Sequence, residues 1–476
     1  GTVVFESGRV SRGSGQGESV LVPDGAPAIE AAGKHLTPGL IDCHSHMGIS
    51  RGVNEGGQAV TAEVRIGDVT NPDAISWYRQ LAGGITTVNS LHGSANAIGG
   101  QNQVNKNRWG AMRPEDLHFE GAMPGIKFAL GENPRQANSS RSTQRYPRSR
   151  MGVEALLRDR FTAGREYLRD RGSPGFRRDL ELEALGEILE GRRLVHCHSY
   201  RQDEILMLCR LAEEFGFKIG TFQHILEGYK VADELARHSG GGSAFSDWWA
   251  YKVEVQDAIP QAGPIMHEQG VVVSYNSDSD EMARRMNVEA AKAVKYSVGP
   301  DAVPGISPAD ALAFVTINPA RQLMIHDRVG SLEVGKDADF VIWSGDPLSV
   351  FSKTEETWID GRRYFSLEMD RASRERIAAE RTRLTQKILG GLTSSKAGKS
   401  SPGEEAASES QAPPTETRRR RRPSSEGDSD SLESATAGAL SGPPVDWWLR
   451  RYYMDLYLRG LPIESARPGE CGCYEN

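Results

Sequence analysis

The sequence predicts an α/β protein built on a closed parallel (β/α)8 barrel of the TIM type. Two observations predict it: eight short β-rich runs, and longer helical patterns between them. The runs are Gly39–His44, Ile85–Leu91, His118–Gly121, Ile126–Leu130, Arg193–His198, Lys218–Gln223, Ser243–Trp248 and Val271–Asn276. Patterns such as "RQDEILMLCRLAEEFG" and "DEMARRMNVEAAKAVKY" follow most of them, and that alternation favours a barrel over an open sheet.

The barrel is predicted over residues 37–328. Its flanks read differently. Residues 1–36, with "ESVLVPDGAPAIEAAGKHLTPG", and residues 329–366, with "GSLEVGKDADFVIWSGDPL" and "TWIDGRRYF", are short β segments separated by turn residues. They are expected to pair into one small sandwich-like β module made from both ends of the globular region. A charged helix is expected over 367–393 and a disordered C-terminal tail over 394–443, where Ser, Pro, Glu and Gly leave too little apolar surface to offset chain entropy. Residues 444–476 turn aromatic and could dock on the body or on a partner.

The chain has 476 residues, 57 basic against 64 acidic, a net charge of −7 and 38% hydrophobic residues. That excludes a wholly disordered chain and argues against a dedicated nucleic-acid binder. No apolar run approaches the ~18–20 residues of a membrane-spanning helix, and no signal-peptide pattern is present. The expectation is a cytoplasmic or periplasmic homo-oligomer acting on a small-molecule substrate, with neither nucleic acid nor membrane as partner. The chain begins at Gly1 without methionine, so a leader or a first strand can lie outside it. Five cysteines do not make a disulfide framework. Cys471 and Cys473 lack a zinc-finger spacing, and Arg418–Arg422 reads as part of a solvated tail flanked by acidic residues.

The strongest local signal is "TPGLIDCHSHMG". His44 and His46 are two apart, so on a strand both imidazoles face one side, which at the C-terminal end of a barrel strand is the active-site mouth. A pair of satisfied polar histidines is the alternative. Lys127 lies in the apolar run "PGIKFALGEN". Burial favours the neutral amine of a lysine, and a neutral amine adds carbon dioxide to give a carbamate whose two oxygens bridge two cations. A snorkelling lysine, or one paired with Glu132, is the competing reading. "LVHCHSYRQDE" offers His196 and His198, "IGTFQHILEG" offers His224, and "VVVSYNSDSDE" offers Asp278, a ligand that can also accept a proton.

These residues resemble the metal-dependent amidohydrolase superfamily, in particular its imidazolonepropionase-like and prolidase-like members. "AGGITTV", "INPARQL" and "GSLEVGKDADFVIW" add to the likeness, which covers roughly residues 19 to 366. The resemblance implies a binuclear metal centre. His44, His46 and Asp278 would bind the buried metal, and carboxylated Lys127 would bridge it to a second held by His196 and His224. Asp278 would also be the catalytic proton shuttle. His196 is preferred to His198 as ligand because it lies deeper, and His198 takes a substrate role. The two divalent metal ions are expected to be zinc, with manganese, iron or cobalt as alternatives. The implied reaction is hydrolysis of a C–N amide bond in a small peptide-like or cyclic substrate. A single-metal deaminase and an inert barrel with a partner-binding tail are the rival readings.

Further pocket residues are expected in the glycine-rich "LHGSANAIGGQNQVNKNRWG", which carries His92, Asn96, Gln101, Asn102 and Asn105, and in "FSDWWAYK", with Trp248, Trp249 and Tyr251. The excursion from Leu130 to Arg193, with Arg135, Arg141, Arg145, Arg148 and Arg150, could cover the site and attract an anion, or form a solvated basic loop.

Overall fold

The computed structural model describes residues 1–14, 20–22, 25–50, 52–135, 145–248, 252–297 and 305–397. They divide into a unit ending at Asp370 and a second beginning at Arg371.

The chain starts with an antiparallel pair, β1 (Val3–Glu6) and β2 (Arg9–Gly13). β3 (His35–Pro38) leads across Gly39 into β4 (Leu40–Ser45). A Cβ at Gly39 would lie 2.1 Å from Thr86 Oγ1, so only glycine admits the crossing. Every residue of β4 is buried, as expected of a parallel strand covered on both faces. Helix α1 (Ile75–Leu81) then returns the chain to β5 (Ile85–Ser90), parallel to β4.

β6 (Ile98–Gln101) and β7 (Gln103–Lys106) come next, followed by β8 (Gly125–Ala129), β9 (Leu194–His198), β10 (Ile219–Gln223), β11 (Gly242–Ala244) and β12 (Val273–Tyr275). β8 to β12 are parallel neighbours in sequence order, with β6 antiparallel on the outer edge of β8. β7 lies antiparallel on β5. Between the parallel strands run α2 (Arg150–Asp170), α3 (Leu180–Leu189), α4 (Gln202–Phe215), α5 (Ala232–His238) and α6 (Ala262–Glu268).

Helix α2 shows why the helices pack as they do. Ser149 caps it by accepting from Gly152 N at 3.0 Å, and Val153, Leu157, Phe161 and Gly164 make a buried stripe at spacings of three and four. That stripe joins Phe128, Val195 and Phe222 of the strands in one apolar core. Helix α4 stops at Gly216, whose φ of 76° is the left-handed cap glycine favours.

After β12 come α7 (Asp280–Ala283), α8 (Met286–Tyr296), α9 (Pro308–Ala313) and α10 (Ile317–Gln322). Two backbone bonds meet at the turn between α9 and α10: Tyr275 N donates to Phe314 O at 2.9 Å and Ile41 N to Val315 O at 2.8 Å. β13 (Phe340–Trp343), β14 (Thr354–Ile359) and β15 (Arg362–Ser366) then form an antiparallel sheet with β3, in the order β15-β14-β13-β3. The register pairs Trp343 with His35 and Phe340 with Pro38. Helix α11 spans Leu367–Ala397; within it Ile377, Leu384 and Ile388 are exposed.

Two expectations about strands are corrected. His118–Gly121 is no strand: it makes one bridge, His118 to Asn105, before Gly121 turns the chain at φ 80°. The glycine-rich stretch expected as a loop instead supplies β6 and β7, because Gly99 and Gly100 let the backbone approach the His92 ring. The seventh run shortens to β11. The expected tail with Arg418–Arg422, the aromatic segment, Cys471, Cys473, Arg141, Trp249 and Tyr251 lie outside the described residues. Among the described residues, no helix is long and apolar enough to cross a membrane.

Candidate metal centre

Strand ends bring four of the expected ligands together. His44 is the last residue but one of β4 and His46 follows the strand, with Nε2 atoms 3.4 Å apart and rings at 88°. Asp278, beyond β12, places Oδ1 3.1 Å from His46 Nε2 and 3.4 Å from His44 Nε2. Its Oδ2 lies 3.6 Å from Nε2 of His224, the residue after β10. The donor atoms of His44, His224 and Asp278 all fall within 4.8 Å of one another, and all three residues are buried. Lys127, midway along β8, is fully buried and reaches to 3.2 Å from His44 Nε2.

The backbone is strained where the ligands are placed. His224 has φ 55° and Asp278 φ 48°, a region that non-glycine residues enter at a cost of about 1–3 kcal/mol. Neighbouring hydrogen bonds hold both turns. Ile225 N donates to Ser243 O at 3.0 Å, and Asp278 N donates to His44 O at 3.2 Å. Asp42, fully buried, accepts from Ser277 N at 3.1 Å, from His44 N at 3.3 Å and from the Ser277 hydroxyl. One carboxylate thus ties the end of β4, which carries His44, to the loop that carries Asp278.

The outer ring nitrogens fix the tautomers. His44 Nδ1 lies 3.2 Å from Gln223 Oε1 and His46 Nδ1 2.8 Å from Leu91 O, so each Nδ1–H donates outward and leaves the Nε2 lone pair facing Asp278. Burial, then Lys127, His224 and His46, hold the His44 imidazole well below its ordinary value. Burial first of all pushes His224 down to about 3. His198 is lowered by burial and by the charges of His224, Lys127 and Lys252. Burial alone would raise Asp278, but His224, His46 and Lys127 outweigh it and keep the carboxyl below its usual range. Neutral His44 and His224 imidazoles beside an ionised Asp278 are the protonation states a divalent cation requires, so this donor set fits such a group.

The two histidines of β9 separate. A Cβ on Gly125 would lie 2.7 Å from His196 Nε2, which places that ring deep between β8 and β10; its Nδ1 is buried without a hydrogen-bond partner. The His198 ring instead lies 5.2 Å from that of His224 and 4.5 Å from Tyr200. Residue His196 makes no hydrogen bond, ion pair or ring contact to the cluster among the described residues; Lys127, its register partner, acts on it through charge.

The expected pocket residues are used in several ways. Both nitrogens of His92 face backbone, Nε2 accepting from Glu55 N at 2.8 Å and Nδ1 lying 2.9 Å from Gly93 O. Gln101 donates to Ala62 O at 2.9 Å, and Asn102 donates to the Asn89 side chain. Asn96 donates to Glu55 O at 2.6 Å and Asn105 to Ser90 Oγ at 3.2 Å. Trp248 stacks on Phe245 at 4.0 Å, and Phe245 stacks on His224 at 4.8 Å, a ring ladder rising from the cluster. The arginines serve the frame: Arg145 donates to Gly56 O and Ala95 O at 2.7 and 2.6 Å, Arg135 to Gly131 O at 3.2 Å, and Arg150 pairs with Glu254 and Glu204 at 2.7 and 3.2 Å. Sequence reasoning missed Asp42, Gln223, Asn276 and Lys252; the Asp42 position in "GLIDCHSH" was the only one with a local cue.

A pH dependence follows. His44, His92, His196, His198 and His224 are all held low in the fold, chiefly by burial, whereas each binds a proton near pH 6.5 once unfolded. The unfolded chain therefore takes up more protons as pH falls below 6.5, and stability falls with it. Asp42, raised to about 7, Asp339, raised to about 6, and Glu181, Glu204, Glu254 and Asp280, also raised by burial, act the opposite way, whereas the lowered Asp278 and Asp337 act with the histidines. Melting temperatures of chelator-treated protein should drop steadily from pH 6.5 toward 4; a flat profile would contradict the neutral buried histidines.

Within the fold, the buried His44, His224 and Asp278 form a donor set that could hold a metal ion. Residues 35–363 match the sequence profile of the Amidohydrolase family, and the chain belongs to that family. The amidohydrolase tasK of Hapsidospora irregularis is 32% identical over 401 residues, 77% of this chain and 40% of that protein. This chain thus spans about two fifths of that relative's length. The imidazolonepropionase of Cupriavidus taiwanensis is 24% identical over 397 residues, 73% of this chain and 85% of that protein. Among solved structures, an amidohydrolase from Thermotoga maritima MSB8 is similar at 32% identity and a TM-score of 0.68, covering 76% of this chain and 94% of that one.

Proposed function

We propose that the protein hydrolyses a C–N amide bond of a small peptide-like or cyclic substrate, at a binuclear metal centre on the mouth of a (β/α)8 barrel. The convergence of His44, His46, His224 and Asp278 on one point, with Lys127 alongside, carries this reading. The meeting of Ile41 and Tyr275 at the turn between α9 and α10 supports closure of the parallel strands into a barrel, as does the likeness to the Thermotoga protein.

His44, His46 and Asp278 would hold one cation. Lys127 as a carbamate would link it to a second, held by His224 and one histidine of β9. The sequence favoured His196 for that place; the proximity of the His198 ring to His224 supports His198 instead, with His196 packed beneath. The pair of cations would acidify a bound water and polarise the substrate carbonyl, and zinc suits these nitrogen and oxygen donors. The chain's own part is proton handling. Asp278 stays ionised in a buried site, so it can accept the proton of the attacking water and return it to the leaving nitrogen. Phe245 and Trp248 form an apolar wall that keeps bulk water from this side.

The test is metal analysis followed by a screen of dipeptides, N-acyl amino acids and cyclic amides, read as amine release. Chelator-sensitive hydrolysis of an amide supports the reading. Ammonia release from a heterocycle with one cation per chain would instead establish a deaminase, and turnover indifferent to chelator would refute both.

A further inference from the structure

A buried hydrogen-bond chain leads away from His224. Asn276 Nδ2 lies 3.3 Å from His224 Nδ1, and Asn276 Oδ1 accepts from Ser243 Oγ at 2.6 Å. Ser243 Oγ lies 3.1 Å from Cys43 Sγ, which lies 3.2 Å from Ser274 Oγ, and Ser274 donates to Gln322 Oε1 at 2.7 Å. None of these five side chains is more than 1% exposed. Nδ1 of His46 faces a backbone oxygen and Nδ1 of His44 the amide oxygen of Gln223, whereas Nδ1 of His224 faces the amide nitrogen of Asn276, and a side-chain amide offers either a donor or an acceptor.

We propose that the side-chain amide of Asn276 decides which ring nitrogen of His224 carries the proton, which makes Asn276 the positioning residue for cation binding at His224. The inference rests on the metal-centre reading above. With Nδ2 toward the ring, the amide donates to Nδ1, the imidazole proton sits on Nε2, and Nε2–H faces the Asp278 carboxylate. A half-turn of the amide puts Oδ1 against Nδ1, which then carries the proton, and frees the Nε2 lone pair for a cation. The chain beyond Asn276 accommodates both. Ser243 is a hydroxyl that can donate to Oδ1 or accept from Nδ2, and its own proton can turn to Cys43 Sγ.

The experiment compares wild type with Asn276→Asp and Asn276→Leu, using zinc and a competing chelator, and reads His224 by nitrogen-15 resonance of the apoproteins. Aspartate keeps the shape and only accepts, so zinc affinity should stay within about threefold of wild type and His224 should carry its proton on Nδ1. Leucine offers neither group, and affinity should fall about 10–100-fold, the usual effect of removing a partner behind a metal-ligating histidine. Equal affinities for all three proteins, equal losses in both variants, or one His224 tautomer in both variants would overturn the proposal. A wild type that binds zinc without cleaving any amide would refute the proposed activity and leave this comparison standing. Should the leucine variant not fold, the aspartate variant's affinity and tautomer decide alone: a loss above tenfold, or a proton on Nε2, overturns it.

Discussion

Lys127→Met is expected to lower the bound cation from two to one per chain and to cut kcat by about 10²–10³-fold, the size of losing one preorganised charge at a reacting centre. Lys127 is fully buried between Ile126 and Phe128 on β8, and its amine lies 3.2 Å from His44 Nε2. Methionine has similar length and no charge, so it fills the same space and the fold should survive. A carbamate also needs carbon dioxide. Wild-type protein reconstituted in carbonate-free buffer should take up less of the second cation, with bicarbonate restoring it. Stoichiometry unchanged in the variant and indifferent to bicarbonate would show that Lys127 is a structural amine.

Asp278→Asn should be the more damaging change for turnover, lowering kcat by about 10²–10⁴-fold through loss of general acid–base catalysis. Asparagine preserves the shape that the left-handed turn and the Asp278 N to His44 O bond impose, so the loss is one of charge and basicity, felt by the cation that Asp278 would hold as well as by the proton it would carry. KM should move far less, because Asp278 faces the histidines and not the ring ladder of Phe245 and Trp248. A variant with kcat within tenfold of wild type would remove Asp278 from the proton path.

Much of this site could be read from the chain because its signals are local. His44 and His46 share a face through the two-residue period of a strand, and Lys127 stands out as a charge in an apolar run. Depth could not be read. His196 and His198 obey the same period, and which of them reaches the cluster depends on how β9 is staggered against its neighbours, including the irregular register at Ile219 and Thr221 of β10. The strands β6 and β7 were hidden because "IGGQNQVNK" is too polar and glycine-rich to carry an alternating pattern. The outer partners were hidden for a different reason. Gln223 meets His44 across 179 positions and Asn276 meets His224 across 52, so only the assembled fold makes them neighbours. Nor does sequence announce a left-handed backbone at a histidine or an aspartate, where strain is sustained by the surrounding bonds.

The most direct measurement is anomalous diffraction at the zinc edge from crystals of the zinc-loaded protein. Two peaks are expected, one among His44, His46 and Asp278 and the other among Lys127, His198 and His224, with density for a carboxyl group on the lysine. Peaks remote from these side chains, or none at full zinc loading, would contradict the metal centre and with it the hydrolytic mechanism.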